Sequence, residues 1–207
     1  MSVTSNESVG RESGVVQHSF TVDRSAREAL GGHGGSVLWF TGLPGSGKSS
    51  IADEVERQLH GKGLRTFVLD GDSVRTGLCK DLGFSPEDRA ENVRRVSEVA
   101  RLMVDAGIIV LVCLVSPFAA DRRAARKLFA DGEFLEVFVD TPLPVCIERD
   151  PKGLYAKSAA GDLPTMSGVG QNYEVPDRPD VHVDGRQPIR HSAAAVIDRL
   201  GPISQFD

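Results

Sequence analysis

Cysteine is scarce in this chain, and what there is does not cluster. Cys79, Cys113 and Cys146 are the three among 207 residues. They are odd in number and show no Cys-x-x-Cys or Cys/His spacing. A disulfide framework and a zinc site are both excluded by that pattern, and reduced thiols in the cytoplasm are expected. Long apolar runs are missing too. The longest, Ile108 to Val115, is too short to cross a bilayer. Positive charge is in deficit, with a net charge of −5, which excludes broad non-specific binding to nucleic acid but leaves room for local basic pockets. Met1 to Gly14 is polar and lacks the apolar core of a secretory signal. No internal repeat or low-complexity tract is present. The absences together predict a soluble, cytoplasmic protein.

What is there is concentrated between Gly42 and Ser49. The residues Gly42, Leu43, Pro44, Gly45, Ser46, Gly47, Lys48 and Ser49 satisfy the phosphate-loop pattern Gly-x4-Gly-Lys-Ser/Thr, and Ser50 continues it. Ser36 to Thr41 reads as a buried strand before the loop. Ser50 to Leu59 reads as a helix after it, with Ile51, Val55 and Leu59 on one face. Glycines allow the backbone to turn so that its N–H groups converge on an anion, helped by the positive end of the helix. Lys48 is expected to reach the β- and γ-phosphates of a nucleoside triphosphate, and the Ser49 hydroxyl to bind Mg²⁺.

The length suits one α/β domain. Residues 1–17 are rich in Ser, Glu and Gly and are expected to be disordered; 18–207 is expected to be a single phosphate-loop domain. Arg24 to Leu30 predicts a short helix, Arg65 to Leu69 a strand, and Ser85-Pro-Glu-Asp88 a helix start with cap, proline and acid in place. Val93, Val96, Ala100 and Met103 form that helix's buried stripe, with Arg89 and Asn92 on another side. Ile108 to Val115 has the continuous, β-branched character of a parallel strand buried on both faces. Phe134 to Val139 predicts another strand, Leu143 to Arg149 a helix, Val181 to Val183 a last strand and Ser192 to Leu200 a closing helix. Residues 150–180 have little periodicity and predict a lid. Strands alternating with helices imply a parallel sheet with its ligand site at the C-terminal strand ends.

The candidate chemistry lies at those ends. Phosphoryl transfer needs a metal, cationic clamps and an oriented acceptor. Asp70, placed after the second strand, either holds Mg²⁺ or takes the acceptor's proton, or else caps a helix. Arg75, Arg89 and Asn92 suit an anionic acceptor, because arginine offers a planar fork for phosphate or sulfate; singly, each reads as a surface residue. Arg94 and Arg95 read as solvated. Ser116-Pro117 either touches the acceptor or ends its strand. Lys152 and Lys157 either close over phosphates or face solvent.

As a whole the chain resembles the adenylyl-sulfate kinase (APS kinase) family of phosphate-loop kinases. Trp39 to Ser50, Leu69-Asp-Gly-Asp72 with Arg75, Asp81 to Ser85, Asp88 to Arg95, Ser116-Pro117, Val139 to Pro142 and Arg149 to Tyr155 carry the resemblance, in family order, over roughly residues 20–200. It implies ATP-dependent phosphorylation of the 3′-hydroxyl of adenosine 5′-phosphosulfate, giving PAPS. It makes Asp70 the catalytic, magnesium-organising carboxylate and puts Asp72, Arg75, Arg89 and Asn92 around the adenylyl-sulfate. Phe84 is placed against the acceptor's adenine, where stacking needs no hydrogen bond. Ser116 matches a serine described in the family as a phosphorylated intermediate; because direct in-line transfer is simpler, it is expected here as an acceptor contact. Lys152 and Lys157 match lid lysines. The resemblance also implies a homodimer working in sulfate assimilation, alongside ATP sulfurylase. Three positions depart from the family: Ser73 in place of Asn, Ala119 in place of Arg, and Met166 in place of the phenylalanine that walls the adenine. Met166 can cover a ring but fixes no plane. Two alternatives therefore stand beside the main expectation: a kinase for another nucleotide-like or anionic hydroxyl acceptor, and a non-catalytic nucleotide-binding subunit.

Overall fold

Ile109-Val-Leu-Val-Cys113 makes strand β3, and all five residues are buried. Such a strand can sit only inside a sheet covered on both faces. The computed structural model, which describes residues 18, 20–163 and 165–201, shows that sheet. Its other strands are β1 (Ser36–Thr41), β2 (Thr66–Asp70), β4 (Phe134–Asp140) and β5 (Val181–Asp184). They pair in the order β2-β3-β1-β4-β5, parallel throughout. The expectation of disorder over residues 1–17 lies outside the described residues.

Alternation along β1 assigns the two faces. Leu38 and Phe40 join Ile51, Val55 and Leu59 of α2 (Lys48–His60) and Ala193 and Val196 of α8 (Ile189–Leu200) in one buried cluster. Val37 and Trp39 join Val93, Val96, Ala100 and Val104 of α4 (Pro86–Asp105) in the other, to which α5 (Ala119–Arg126) adds Ala125. Each fully buried Val, Leu or Phe side chain contributes about 1.5–3 kcal/mol, so these two layers hold the sheet in place.

The helix ends follow local chemistry. Ser85 caps α4 by accepting the Asp88 N–H at 3.1 Å, with Pro86 in the first turn. Asp23 caps α1 (Arg24–Gly31) through the Ala26 N–H at 2.9 Å. Helix α6 (Leu143–Arg149) matches its expectation, and α8 starts three residues earlier than expected, after Pro188. Three short helices were not foreseen: α3 (Gly71–Thr76), α5, and α7 (Leu154–Ala159), which lies within residues 150–180. Strand β3 is shorter than its apolar run, because Leu114 and Val115 leave the ladder and pass into the site.

Candidate active site

The loop between β1 and α2 turns through Gly45 (φ 76°) and Gly47 (φ 103°), a left-handed backbone open to glycine and costly for other residues. Pointing N–H groups inward turns carbonyls outward, and the fold supplies donors for them. Tyr155 on α7 donates its hydroxyl to Pro44 O at 2.9 Å. Thr141 donates to Ser46 O at 2.9 Å, and Arg149 approaches the same oxygen at 3.5 Å. The cradle is braced from behind.

Lys48 starts α2 with its side chain folded back, donating to Gly42 O at 3.0 Å and Leu43 O at 2.8 Å. Burial pulls its ammonium pKa down to about 8, since an interior disfavours charge without an anion beside it. Ser49 donates to Asp70 Oδ1 at 2.9 Å. The other oxygen of Asp70 caps α3 by accepting the Asp72 N–H at 3.1 Å. The cap reading of Asp70 is therefore realised through Oδ2, while Oδ1 borders the cavity with the Ser49 hydroxyl as its partner.

Opposite the cradle lies the basic side. Arg75 and Arg89 flank the half-exposed Phe84 ring, with guanidinium carbons 4.3 and 5.4 Å from its centre. Their hydrogen bonds go to backbone carbonyls, Arg75 to Gly83 O and Arg89 to Phe84 O and Thr165 O. Burial lowers the pKa of both, and for Arg89 the neighbouring Arg75 adds repulsion. Their hydrogen bonds go only to carbonyls, although Asp88 and Asp72 act on Arg75 through space, and two crowded guanidinium groups of this kind suit an anion. Asn92 is 4% exposed, and its Nδ2 has no hydrogen-bond partner, leaving a free donor on the same side.

One cavity of about 740 Å³ joins the two sides, within the range of small-molecule sites. Pro44, Gly45, Gly47, Lys48, Ser49 and Ser50 line it from the loop. Asp70, Asp72, Arg75, Phe84, Arg89, Asn92, Ser116, Lys152 and Met166 line the rest. Gly42, Leu43 and Ser46 shape the loop without lining the cavity, and exposed Lys157 on α7 is also outside the lining. Lys152 pairs with Asp72 at the mouth, a hydrogen bond that raises the lysine's pKa. Met166 belongs to an apolar cluster with Cys146 and Tyr155, packed against Leu43. It anchors residues 150–180 to the loop as well as bordering the cavity.

Ser116 is 3% exposed and its hydroxyl is engaged. Trp39 Nε1 donates to Ser116 Oγ at 3.1 Å, and Ser116 Oγ donates to Thr41 Oγ1 at 3.0 Å. Thr41 passes its own proton to Val115 O at 2.8 Å, so Tyr173, 2.9 Å away, must be the donor to Thr41. Arg94 and Arg95, read as solvated, lie outside the cavity lining and both pair with Glu91, and Arg95 also binds Asp81 at 2.6 Å.

Sequence reasoning assigned no role to Arg149, Gly185, Gln187 and Ile189, which also line the cavity. Arg149 donates to Gly185 O at 2.9 Å. Arg149 arrives at the end of α6, and the return of the chain after β5 brings Gly185, Gln187 and Ile189 to the phosphate loop. A hydroxyl and a carboxylate in contact offer hard oxygen ligands that fit magnesium. Among the described residues no three His, Cys, Asp or Glu side chains form a metal cage.

The comparisons with known proteins agree with this geometry. The family described as adenylylsulphate kinase matches residues 34–184. The adenylyl-sulfate kinase of Erwinia tasmaniensis is 54% identical over 186 residues, covering 90% of this chain and 92% of the relative. That of Citrobacter koseri is 55% identical with the same coverage. The structure of the Mycobacterium tuberculosis APS kinase in complex with AMPPNP and APS superposes with a TM-score of 0.78 at 52% identity, covering 81% of this chain and 98% of that one. The chain belongs to the adenylyl-sulfate kinase family.

Proposed function

We propose that the protein transfers the γ-phosphoryl group of ATP to the 3′-hydroxyl of adenylyl-sulfate, giving PAPS and ADP. One observation carries this: a phosphate cradle and an unpaired arginine pair face the same cavity, with the Asp70 carboxylate bordering it. The loop N–H groups and Lys48 hold the triphosphate. On binding, the Lys48 ammonium exchanges the Gly42 and Leu43 carbonyls for phosphate oxygens. Arg75, Arg89 and Asn92 hold the phosphosulfate end of the acceptor, and Phe84 offers its ring to the adenine. The acceptor's 3′-oxygen forms a bond to the γ-phosphorus as the bond to the ADP oxygen breaks, and the hydroxyl proton passes to Asp70. Ser49 and Asp70 would hold Mg²⁺, which supplies charge neutralisation to the phosphates when bound.

Residues 150–180 act in this proposal as a lid whose inner end rests on Leu43 and Pro44 through Met166 and Tyr155. The substrates are small and water-soluble, and among the described residues no helix is long and apolar enough to cross a membrane. The nature of the substrates supports cytoplasmic work beside an ATP sulfurylase that makes the acceptor, and the family resemblance supports a homodimer. The test is purified protein with Mg-ATP and adenylyl-sulfate. PAPS should accumulate with one ADP per product; ADP release only with other nucleotide acceptors would replace the assignment.

A further inference from the structure

Arg122 on α5 is 3% exposed and is not part of the cavity lining. A charged residue so deeply buried must be fully partnered, and its guanidinium donates in three directions. Nε reaches Glu136 Oε1 on β4 at 2.7 Å. Nη1 reaches Ser116 O, and Nη2 reaches Glu174 O, each at 2.7 Å. The three recipients belong to three separate pieces of chain: a central strand, the turn after β3, and the segment returning from residues 150–180.

The turn is the unusual one. Ser116 has φ 39°, and among the described residues it is the one non-glycine residue clearly in the left-handed range. Such a conformation persists only where its surroundings over-determine it. The hydroxyl of Ser116 is held by Trp39 and Thr41, and its carbonyl by Arg122. The returning segment is tied to the same place twice more. Glu174 N–H donates to Pro117 O at 2.9 Å, and the Glu174 carboxylate accepts the Ala119 N–H at 2.7 Å. Ser116 and Pro117 border the cavity together with Arg89 and Asn92, whereas the phosphate loop is braced by other residues altogether.

We propose that Arg122 is a positioning residue for the acceptor. It holds the Ser116-Pro117 wall in its left-handed turn and fastens the end of the 150–180 segment to that wall. The acceptor side of the cavity is therefore assembled by a clamp that the ATP side does not share. Arginine is required because its planar fork serves three acceptors in fixed directions, which a lysine ammonium on a flexible stem cannot reproduce. The inference rests on the acceptor assignment made above.

The experiment compares wild type, Arg122→Lys and Arg122→Ala in steady-state assays with Mg-ATP and adenylyl-sulfate. Arg122→Lys should raise the KM for adenylyl-sulfate by about tenfold, the equivalent of one charge-assisted hydrogen bond, while the KM for ATP stays within about twofold. Added guanidinium ion should restore part of the acceptor KM in Arg122→Ala. A merely structural loss would lower stability and affect both substrates together. Equal changes in both KM values, or none in a folded Arg122→Lys protein, overturn the proposal. Should both Arg122 variants fail to fold, Glu174→Ala loosens the same wall from an exposed side chain, by removing the carboxylate that holds the Ala119 N–H while leaving the Glu174 carbonyl that Arg122 holds. A rise confined to the acceptor KM supports the clamp, and an unchanged acceptor KM overturns it. Wild-type turnover is measured first: if adenylyl-sulfate is not phosphorylated, the acceptor assignment fails and the clamp's role falls with it, a result distinct from an insensitive variant.

Discussion

Ser49 donates its hydroxyl to the Asp70 carboxylate at 2.9 Å, joining the first turn of α2 to the last residue of β2. The C-terminal ends of β1 and β2, on either side of β3, bring together a residue from the cradle and one from the second strand. In the proposed mechanism the contact would give the reaction centre its carboxylate, and it pairs that carboxylate with a hard oxygen suited to a hydrated divalent ion.

Asp70→Asn keeps the α3 cap acceptor and the side-chain size while removing the charge. Turnover should fall by about 10³-fold, in line with losing a preorganised charged group at a reacting centre, and ATP affinity should change little. Product formation and calorimetric nucleotide binding check the two halves separately. Full turnover in Asp70→Asn removes the carboxylate from the mechanism.

The buried ammonium of Lys48 predicts a proton linkage. Its pKa is lowered to about 8 in the folded protein, against about 10.4 for a free lysine. Between those values the unfolded chain binds a proton that the native state does not, so unliganded stability rises with pH across that window. Below it, the fold carries the full cost of the buried charge. A bound triphosphate restores the charged form, so ATP binding above pH 8 should take up a proton. Titration calorimetry in two buffers of different ionisation enthalpy reads the uptake directly; identical heats would contradict it.

Tyr155→Phe removes the hydroxyl that satisfies Pro44 O and leaves the packing against Cys146 and Met166. The cost should be about 1 kcal/mol of stability, a typical net hydrogen bond. The KM for ATP should rise several-fold while that for the acceptor holds. Denaturant unfolding and steady-state kinetics provide the readouts.

Gly185 permits a contact no other residue allows. A Cβ there would lie 2.0 Å from Thr141 Oγ1 and 2.6 Å from Ser46 O. Gly185→Ala must displace the donor that braces the loop. A loss of about 1–3 kcal/mol is expected from overpacking, with weaker ATP binding. Thermal unfolding with and without nucleotide tests this, and an unaltered nucleotide-induced shift in Tm would count against the brace.

Much of the architecture was legible because its signals are contiguous. The Ser85-Pro86 start of α4 and the β-branched run of β3 each express a preference carried by neighbouring residues. The short helices were not legible. Ala119 to Arg126 is rich in the helix formers Ala and Arg but carries no apolar stripe, and α7 is too brief to show a period, so the periodicity that reveals a helix is missing from both. Met166 was foreseen beside an adenine ring. Its burial against Leu43 and Tyr155 reflects an apolar, pliable side chain finding the nearest gap in a small core.

The phosphate cradle was readable from eight adjacent residues because its geometry is a matter of local backbone freedom, with glycine supplying the turns and the next helix supplying the dipole. The acceptor side was another matter. That Arg75 and Arg89 crowd one ring, that Asn92 keeps a free amide, and that Arg122 clamps Ser116 to Glu174 all depend on segments far apart in the chain. Side chains acquire such roles only when an open parallel sheet carries separate loops to the C-terminal ends of its strands, and no stretch of residues specifies in advance which distant partner it will meet.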